Sequence, residues 1–348
     1  MAANIRDVAR NAGVSVGTVS RVLNTHPSVS ATLKERVEKA IRETGFRPNA
    51  RARNLARKSS GCIGFLVANR PVVQPFTAWV LNGVMQHCEE RGYFVLGSIF
   101  QYSPASPLST EDLPRLLRID SAIDALILAG TNFPNFVDCL ESMKIPYVLA
   151  GNSFLADAGR SRTDQVRLDH AASGRQATEY LIQLGHRDIW YIGDLSTPWY
   201  VERYEGYCQA MRDAGLEPLA QVEGLADDRF LNGFHSAEMI LSQNQPVTAI
   251  IGGTNEVAYG AWEAAERRKL EIPNDISLVG FDDERTTHKS HPLTTMWVDA
   301  EEEGRQLAKM AISKIHSPGV TLPEVIIPTH LVKFGTCRAI LSRTPHAQ

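Results

Sequence analysis

The chain has 348 residues, 43% hydrophobic and 22% charged, with a formal net charge of −3; one core rarely organises so long a chain, so two or three domains are expected. It contains no run of about 18 uninterrupted apolar residues, which excludes a membrane-spanning helix, and its first residues lack the apolar stretch of a signal peptide, so a cytoplasmic protein is expected. Five scattered cysteines (Cys62, Cys88, Cys139, Cys208, Cys337) form no CxxC pair, which argues against a disulfide framework or a zinc site.

The first sixty residues hold twelve Lys/Arg against four acids, a charge of +8, leaving −11 for the rest. A basic head on an acidic body is the pattern of a small domain that meets phosphates. Ile5, Val8, Ala9 and Ala12 recur at helical spacing and predict a first helix stopped by Gly13. Ser15 is a good N-cap for a second helix to about Leu23, with Val19, Val22 and Leu23 facing inward. Ser30 caps a third, in which Leu33, Val37, Ala40 and Ile41 form the apolar stripe and Gly45 ends it. Helix, Gly-containing turn and second helix is the layout of a helix-turn-helix. The outward side of the second helix carries Val16, Gly17, Thr18, Ser20 and Arg21. These small or polar groups can approach base edges, and the guanidinium can pair with guanine O6 and N7.

A polar join, Lys58–Gly61, leads into alternating strands and helices. The pattern predicts strands at Cys62–Ala68, Tyr93–Ile99, Ile123–Ala129, Pro146–Gly151, Ile189–Gly193, Thr248–Gly252 and Ile276–Phe281. Between them it places helices such as Phe76–Arg91, closed by Gly92, and one capped by Thr110. Repeated βαβ units mean parallel sheets covered by helices, here an α/β body of two doubly wound subdomains. Ligands in such sheets sit at the carboxyl ends of strands, and a cleft between two subdomains is a natural pocket. Gln101 follows the second strand, Thr131 the third and Asn152 the fourth, so each is a candidate contact. Trp199 and Trp297 have faces on which a ligand could stack, and either could equally belong to the core or an interface. No Walker loop, GxGxxG after a strand, HExxH or GxSxG occurs, and the ten histidines show no metal-ligand spacing. Neither an enzyme nor a metal or cofactor is expected.

Residues 5–24 read IRDVARNAGVSVGTVSRVLN and residues 45–56 read GFRPNARARNLA. These stretches resemble the helix-turn-helix and hinge segment of the LacI/GalR family of bacterial regulators. LGHRDI at 184–189, VGFDD at 279–283, PLTT at 292–295 and Gly304-Arg305 extend the resemblance over nearly the whole chain. It implies a head at 1–48, a hinge helix and linker at 49–60, and a body of periplasmic-binding-protein-like type I at 61–348. In that body the chain would cross between subdomains three times, near 160, 290 and 323. The resemblance further implies that the hinge folds on operator DNA in the minor groove and wedges a leucine into a base step. Leu55 stands at that position, with Arg51, Ala52 and Arg53 in or near the groove and Asn24 and Asn49 on the backbone.

For the ligand, the resemblance puts Arg203 (in RYEG) on the effector and makes Asp282 an acceptor of its hydroxyls. Phe76 falls near the first-loop pocket residues, with Asn69 and Arg70 in its loop. The chain departs from the family pattern in three places. Thr254-Asn255 stands where an Asn-Asp pair often follows a strand, Gly151-Asn152 where an acid often ends one, and Asp228 where an aromatic is usual. A standard hexose therefore cannot be assumed. The implied function is a repressor that binds a pseudo-palindromic operator as a homodimer and is switched by a sugar or sugar derivative. The alternative is a ligand-dependent activator or corepressor-type regulator responding to a nucleobase or other metabolite. A transport solute-binding protein would share the body but would need an export signal and would lack the basic head.

Overall fold

The computed structural model describes residues 3–23, 29–46, 59–69, 75–151, 163–243, 245–282 and 292–340. Two compact units, Met1–Gly61 and Cys62–Gln348, divide the chain. In the head, α1 (Ile5–Ala12) begins at a capping box between Asn4 and Asp7 and ends at Gly13, whose φ of 62° favours a residue without a Cβ. Ser15 Oγ accepts the Thr18 N–H at 3.1 Å and starts α2 (Val16–Leu23). Ser30 likewise caps α3 (Ala31–Thr44). Val8, Ala9, Ala12, Val19, Val22, Val37 and Ala40 form the small core of the three helices. Arg36 of α3 donates to the carbonyls of Ala12 and Gly13 at 3.1 and 3.2 Å, satisfying orphan acceptors at the end of α1.

The body holds two six-stranded sheets. The first contains β1 (Cys62–Ala68), β2 (Phe94–Phe100), β3 (Ala125–Gly130), β4 (Tyr147–Ala150), β5 (Gln165–Leu168) and β11 (Val325–Ile327) in the order β11-β5-β4-β3-β1-β2, all parallel. Its helices are α4 (Pro75–Glu90), the single turn α5 (Arg115–Arg118), α6 (Pro134–Met143) and α11 (Ala300–His316). The second contains β6 (Ile189–Ile192), β7 (Leu219–Gln221), β8 (Ala249–Gly252), β9 (Ser277–Phe281), β10 (Thr294–Val298) and β12 (Thr329–Val332) in the order β12-β10-β9-β8-β6-β7. Among its described strands, β12 alone runs antiparallel to its neighbour. Its helices are α7 (His170–Gln183), α8 (Pro198–Asp213), α9 (Arg229–Ser242) and α10 (Asn255–Arg267). The central strands are buried on both faces, which is why they read as continuous apolar runs.

No helix starts at Thr110. The Asp112 carboxylate instead accepts from the Ser109 amide and hydroxyl at 2.8 and 2.6 Å, a local turn that competes with helix, and Pro114 delays the helix to Arg115–Arg118.

The chain passes between the sheets at Asp169, Asp299 and Pro328, each later than the positions near 160, 290 and 323 suggested by the resemblance. The reason is that β5, β10 and β11 each complete their pairing in one sheet before the chain leaves it. Asp169 and Asp299 then cap α7 and α11, accepting from Ala172 and Glu302.

Three helix pairs, α4 with α11, α7 with α8 and α9 with α10, cross through reciprocal glycines. A Cβ on Gly83 would overlap the Glu301 carbonyl, and one on Gly304 that of Val80. Gly174 and Gly206 stand in the same relation to Arg203 and Ala171, as do Gly233 and Gly260 to Val257 and Phe230.

Candidate DNA-reading helix and ligand cleft

In the head, burial separates two faces of α2. Val19 and Val22 enter the core, whereas Ser15, Val16, Gly17 and Arg21 are exposed and Thr18 and Ser20 are half-buried. Val16 is 41% exposed, an apolar group left in water at the start of a helix. The Ser15 and Thr18 hydroxyls bond to each other at 2.9 Å. Ser15, Val16, Gly17, Thr18, Ser20 and Arg21 thus lie on the side of α2 turned away from the core. Asn24, Asn49, Arg51, Ala52, Arg53 and Leu55 lie outside the described residues.

In the body, a cleft open to solvent is lined from both subdomains. The first contributes Phe76, Thr77 and Val80 from α4, the strand ends Ala129–Gly130, Ala150–Gly151 and Leu168, and Glu303 from α11. The second contributes His170, Trp199, Arg203, Arg229, Thr254 and Asp282. These residues sit at carboxyl ends of strands and N-terminal turns of helices, as open α/β sheets require of a ligand site.

Arg203 organises the second wall. It is 2% exposed, and its guanidinium donates to Asp282 Oδ1 at 3.0 Å, to His170 Nδ1 at 3.2 Å and to the Gly253 carbonyl. Its plane lies 4.7 Å from the Phe281 ring centroid. Burial, with the charges of Arg203 and Arg167, holds the His170 imidazole well below its ordinary pKa, so the neutral ring accepts that hydrogen bond. Asp282 is raised above the usual carboxylate value because burial outweighs the pull of Arg203 and Arg229. Its φ of 102° is in the left-handed region, a strained backbone of the kind held at binding sites by surrounding contacts. Arg229 pairs with Glu256 at 3.1 Å, and its guanidinium lies 6.0 Å from the Trp199 ring centroid.

Of the residues predicted for the effector, Phe76, Trp199, Arg203 and Asp282 come together in this cleft. Asn69, Gln101, Asn255 and Trp297 do not line it. Asn69 donates to the Thr131 carbonyl and accepts from the Tyr102 amide, fastening two strand ends. Gln101 is exposed. Asn255 is buried, and its Oδ1 accepts from Thr295 at 2.9 Å beside Gly280. Trp297 stacks on His330 across β10 and β12. Arg70 and Asn152 lie outside the described residues. The departures at Thr254 and Asp228 have a local account: both cap helices, accepting from Val257 and Leu231. Sequence reasoning missed Thr77, His170, Arg229 and Glu303. For Glu303 a signal was present, since Ala300, Glu303, Leu307, Met310 and Ala311 share one buried helical face and only one of them is charged.

Two family models match the chain. Bacterial regulatory proteins of the lacI family match residues 4–49, and a periplasmic binding protein-like domain matches residues 178–337. The HTH-type transcriptional repressor CytR of Escherichia coli (strain K12) is 30% identical over 341 residues, covering 97% of each chain. Among solved structures, a lac repressor dimer bound to operator and the anti-inducer ONPF superposes with a TM-score of 0.77 at 25% identity, covering 97% of this chain and all of that one. A transcriptional regulator CelR–cellobiose complex superposes at 0.69 with 25% identity, covering 96% of this chain and 99% of that one.

Proposed function

The chain belongs to the lacI family of bacterial regulatory proteins, and from that premise we propose that it is a transcriptional repressor whose operator affinity is set by a small hydroxylated ligand in the body cleft. One observation carries this reading. The same chain joins a basic head with an exposed α2 face to a body whose cleft is lined by two arginines and two carboxyl groups. The proposed division is head 1–48, hinge 49–60 and body 61–348. In the head, Val16, Gly17, Thr18 and Arg21 read bases, while Ser15 and Ser20 approach the backbone. The hinge segment about Leu55 opens the minor groove, flanked by Arg51 and Arg53.

A sugar or sugar derivative suits the cleft. Carboxylate and guanidinium groups supply acceptors and donors for hydroxyls, and Phe76 and Trp199 supply apolar faces. The cellobiose complex of the CelR regulator is consistent with that chemistry.

Operator binding proceeds as a homodimer, for which the body offers an apolar surface. Edge strand β2 exposes Phe94, Leu96 and Ile99 at 57%, 40% and 48%, and neighbouring Met85 of α4 is 53% exposed. Large apolar groups left exposed at an unpaired edge are what an intersubunit contact covers. The lac repressor relative is a dimer on its operator. Among the described residues no helix is long and apolar enough to cross a membrane, and the protein acts where the DNA is, in the cytoplasm. No catalytic role is assigned to any residue.

The test is a fluorescence-anisotropy titration of the purified protein against DNA from upstream of its own gene, at fixed salt, repeated with a panel of sugars and sugar derivatives. Specific binding that one compound moves tenfold or more is the expected result. Binding no tighter than to random DNA, for this fragment and for fragments from a genome-wide selection, would overturn the reading.

A further inference from the structure

On the second wall of the cleft, charge is balanced within the protein: Arg203 faces Asp282 at 3.0 Å and Arg229 faces Glu256 at 3.1 Å. The first wall is apolar apart from Thr77 and Glu303. Glu303 lines the cleft yet is only 3% exposed, and its Oε2 has no hydrogen-bond partner among the described residues.

A buried acceptor without a partner is costly, and a carboxylate without a counter-charge more so. The molecule meets that cost by keeping the proton: burial alone pushes the carboxyl up to about 8. The helix has alternatives. A leucine would fill the same stripe, between Ala300 and Leu307, without any polar cost. What the carboxyl gains must therefore come from something that enters the cleft.

We propose that the effector carries a protonated amine and that Glu303 is its counter-ion. This rests on the ligand-gated reading above and narrows it to an amino sugar or a similarly hydroxylated amine. A single positive charge is the complement the cleft lacks, since the two pairs opposite cancel and an ionised Glu303 would leave one negative charge over. The ammonium also brings up to three donors, which satisfies Oε2 directly. The hydroxyls of the same ligand then face Asp282 and Arg229, so the ligand is read from both subdomains.

The experiment uses the full-length protein and matched probes: glucosamine with glucose, galactosamine with galactose and mannosamine with mannose. Each is tested at about 10 mM, where even millimolar binding raises the melting temperature measurably. Affinities are then titrated for the wild type, Glu303→Gln and Glu303→Leu. The amine member of at least one pair should bind about tenfold or more tighter than its neutral twin, and both substitutions should abolish that preference. The leucine variant guards against a folding defect in the other. An equal or better neutral twin, an amine preference that survives both substitutions, or no shift by any amine would overturn the proposal. If neutral sugars still move operator affinity, only the amine inference falls; if no compound of either kind moves melting or operator binding, ligand gating falls with it.

Discussion

Glu303 and Arg203 show how differently two charged residues can be settled in one cleft. Glu303 is held protonated by burial, its carboxyl pushed from an ordinary 4.5 up to about 8. A raised folded-state value means that the group's contribution is fully present below about pH 4.5 and is lost as pH climbs to about 8. Glu303→Gln should therefore leave stability near wild type at pH 5 and exceed it at pH 8, by up to a few kcal/mol; parallel urea titrations at the two pH values would show it, and a gap that does not widen would refute it. Arg203, by contrast, spends its donors on Asp282, His170 and Gly253. Arg203→Ala should cost about 2–4 kcal/mol of body stability, because it empties a buried site and strands the half-buried Asp282 carboxylate. Arg21→Ala, at an exposed site, should leave stability within about 0.5 kcal/mol and weaken specific operator binding by about 1–3 kcal/mol. The family pattern suggested Arg203 for the effector and Asp282 for its hydroxyls, but not how fully the protein itself uses the arginine. That depends on a carbonyl and a histidine distant in sequence, which no local motif encodes.

Among the elements, helices and strands with strong periodicity were legible almost to the residue: α1, α2, α3, α4, β1 and β2 all fall within about two residues of their predicted bounds. Their signals are local, being caps, apolar stripes and closing glycines. The segment around Thr110 was misread because a Ser109–Asp112 turn outcompetes a helix start that looks equally good in sequence. The strand-end rule placed Gln101 at the cleft, yet β2 is the sheet's edge strand and that residue is exposed. Strand order, which decides that, is not written locally. Helix crossings are likewise invisible until the structure pairs the glycines. Gly304→Ala should destabilise the body by about 2–4 kcal/mol, since its methyl would meet the Val80 backbone carbonyl rather than a side chain able to move aside. Urea denaturation at neutral pH would measure this; a cost below about 0.5 kcal/mol would mean the crossing is looser than the contact implies.

For the whole molecule, the uneven division of charge makes DNA binding a salt-sensitive equilibrium although the net charge is negative. If a dimer neutralises about six to ten phosphates, log K against log salt should slope at about −5 to −9. A nearly flat line would mean that the +8 of the first sixty residues does not meet DNA. Among the described residues of the body, three short stretches, at Asp169, Asp299 and Pro328, join one subdomain to the other. The glycine crossings bear on how such a protein can change over generations. They fix the helix pairs by what is absent, a Cβ at six positions, and make no demand on the side chains a few residues away at the cleft. Phe76, Thr77, Trp199, Arg229 and Glu303 can accordingly be exchanged to suit another ligand while the frame that presents them stays as it is. A lineage of regulators could retarget its chemistry one lining residue at a time without rebuilding the scaffold.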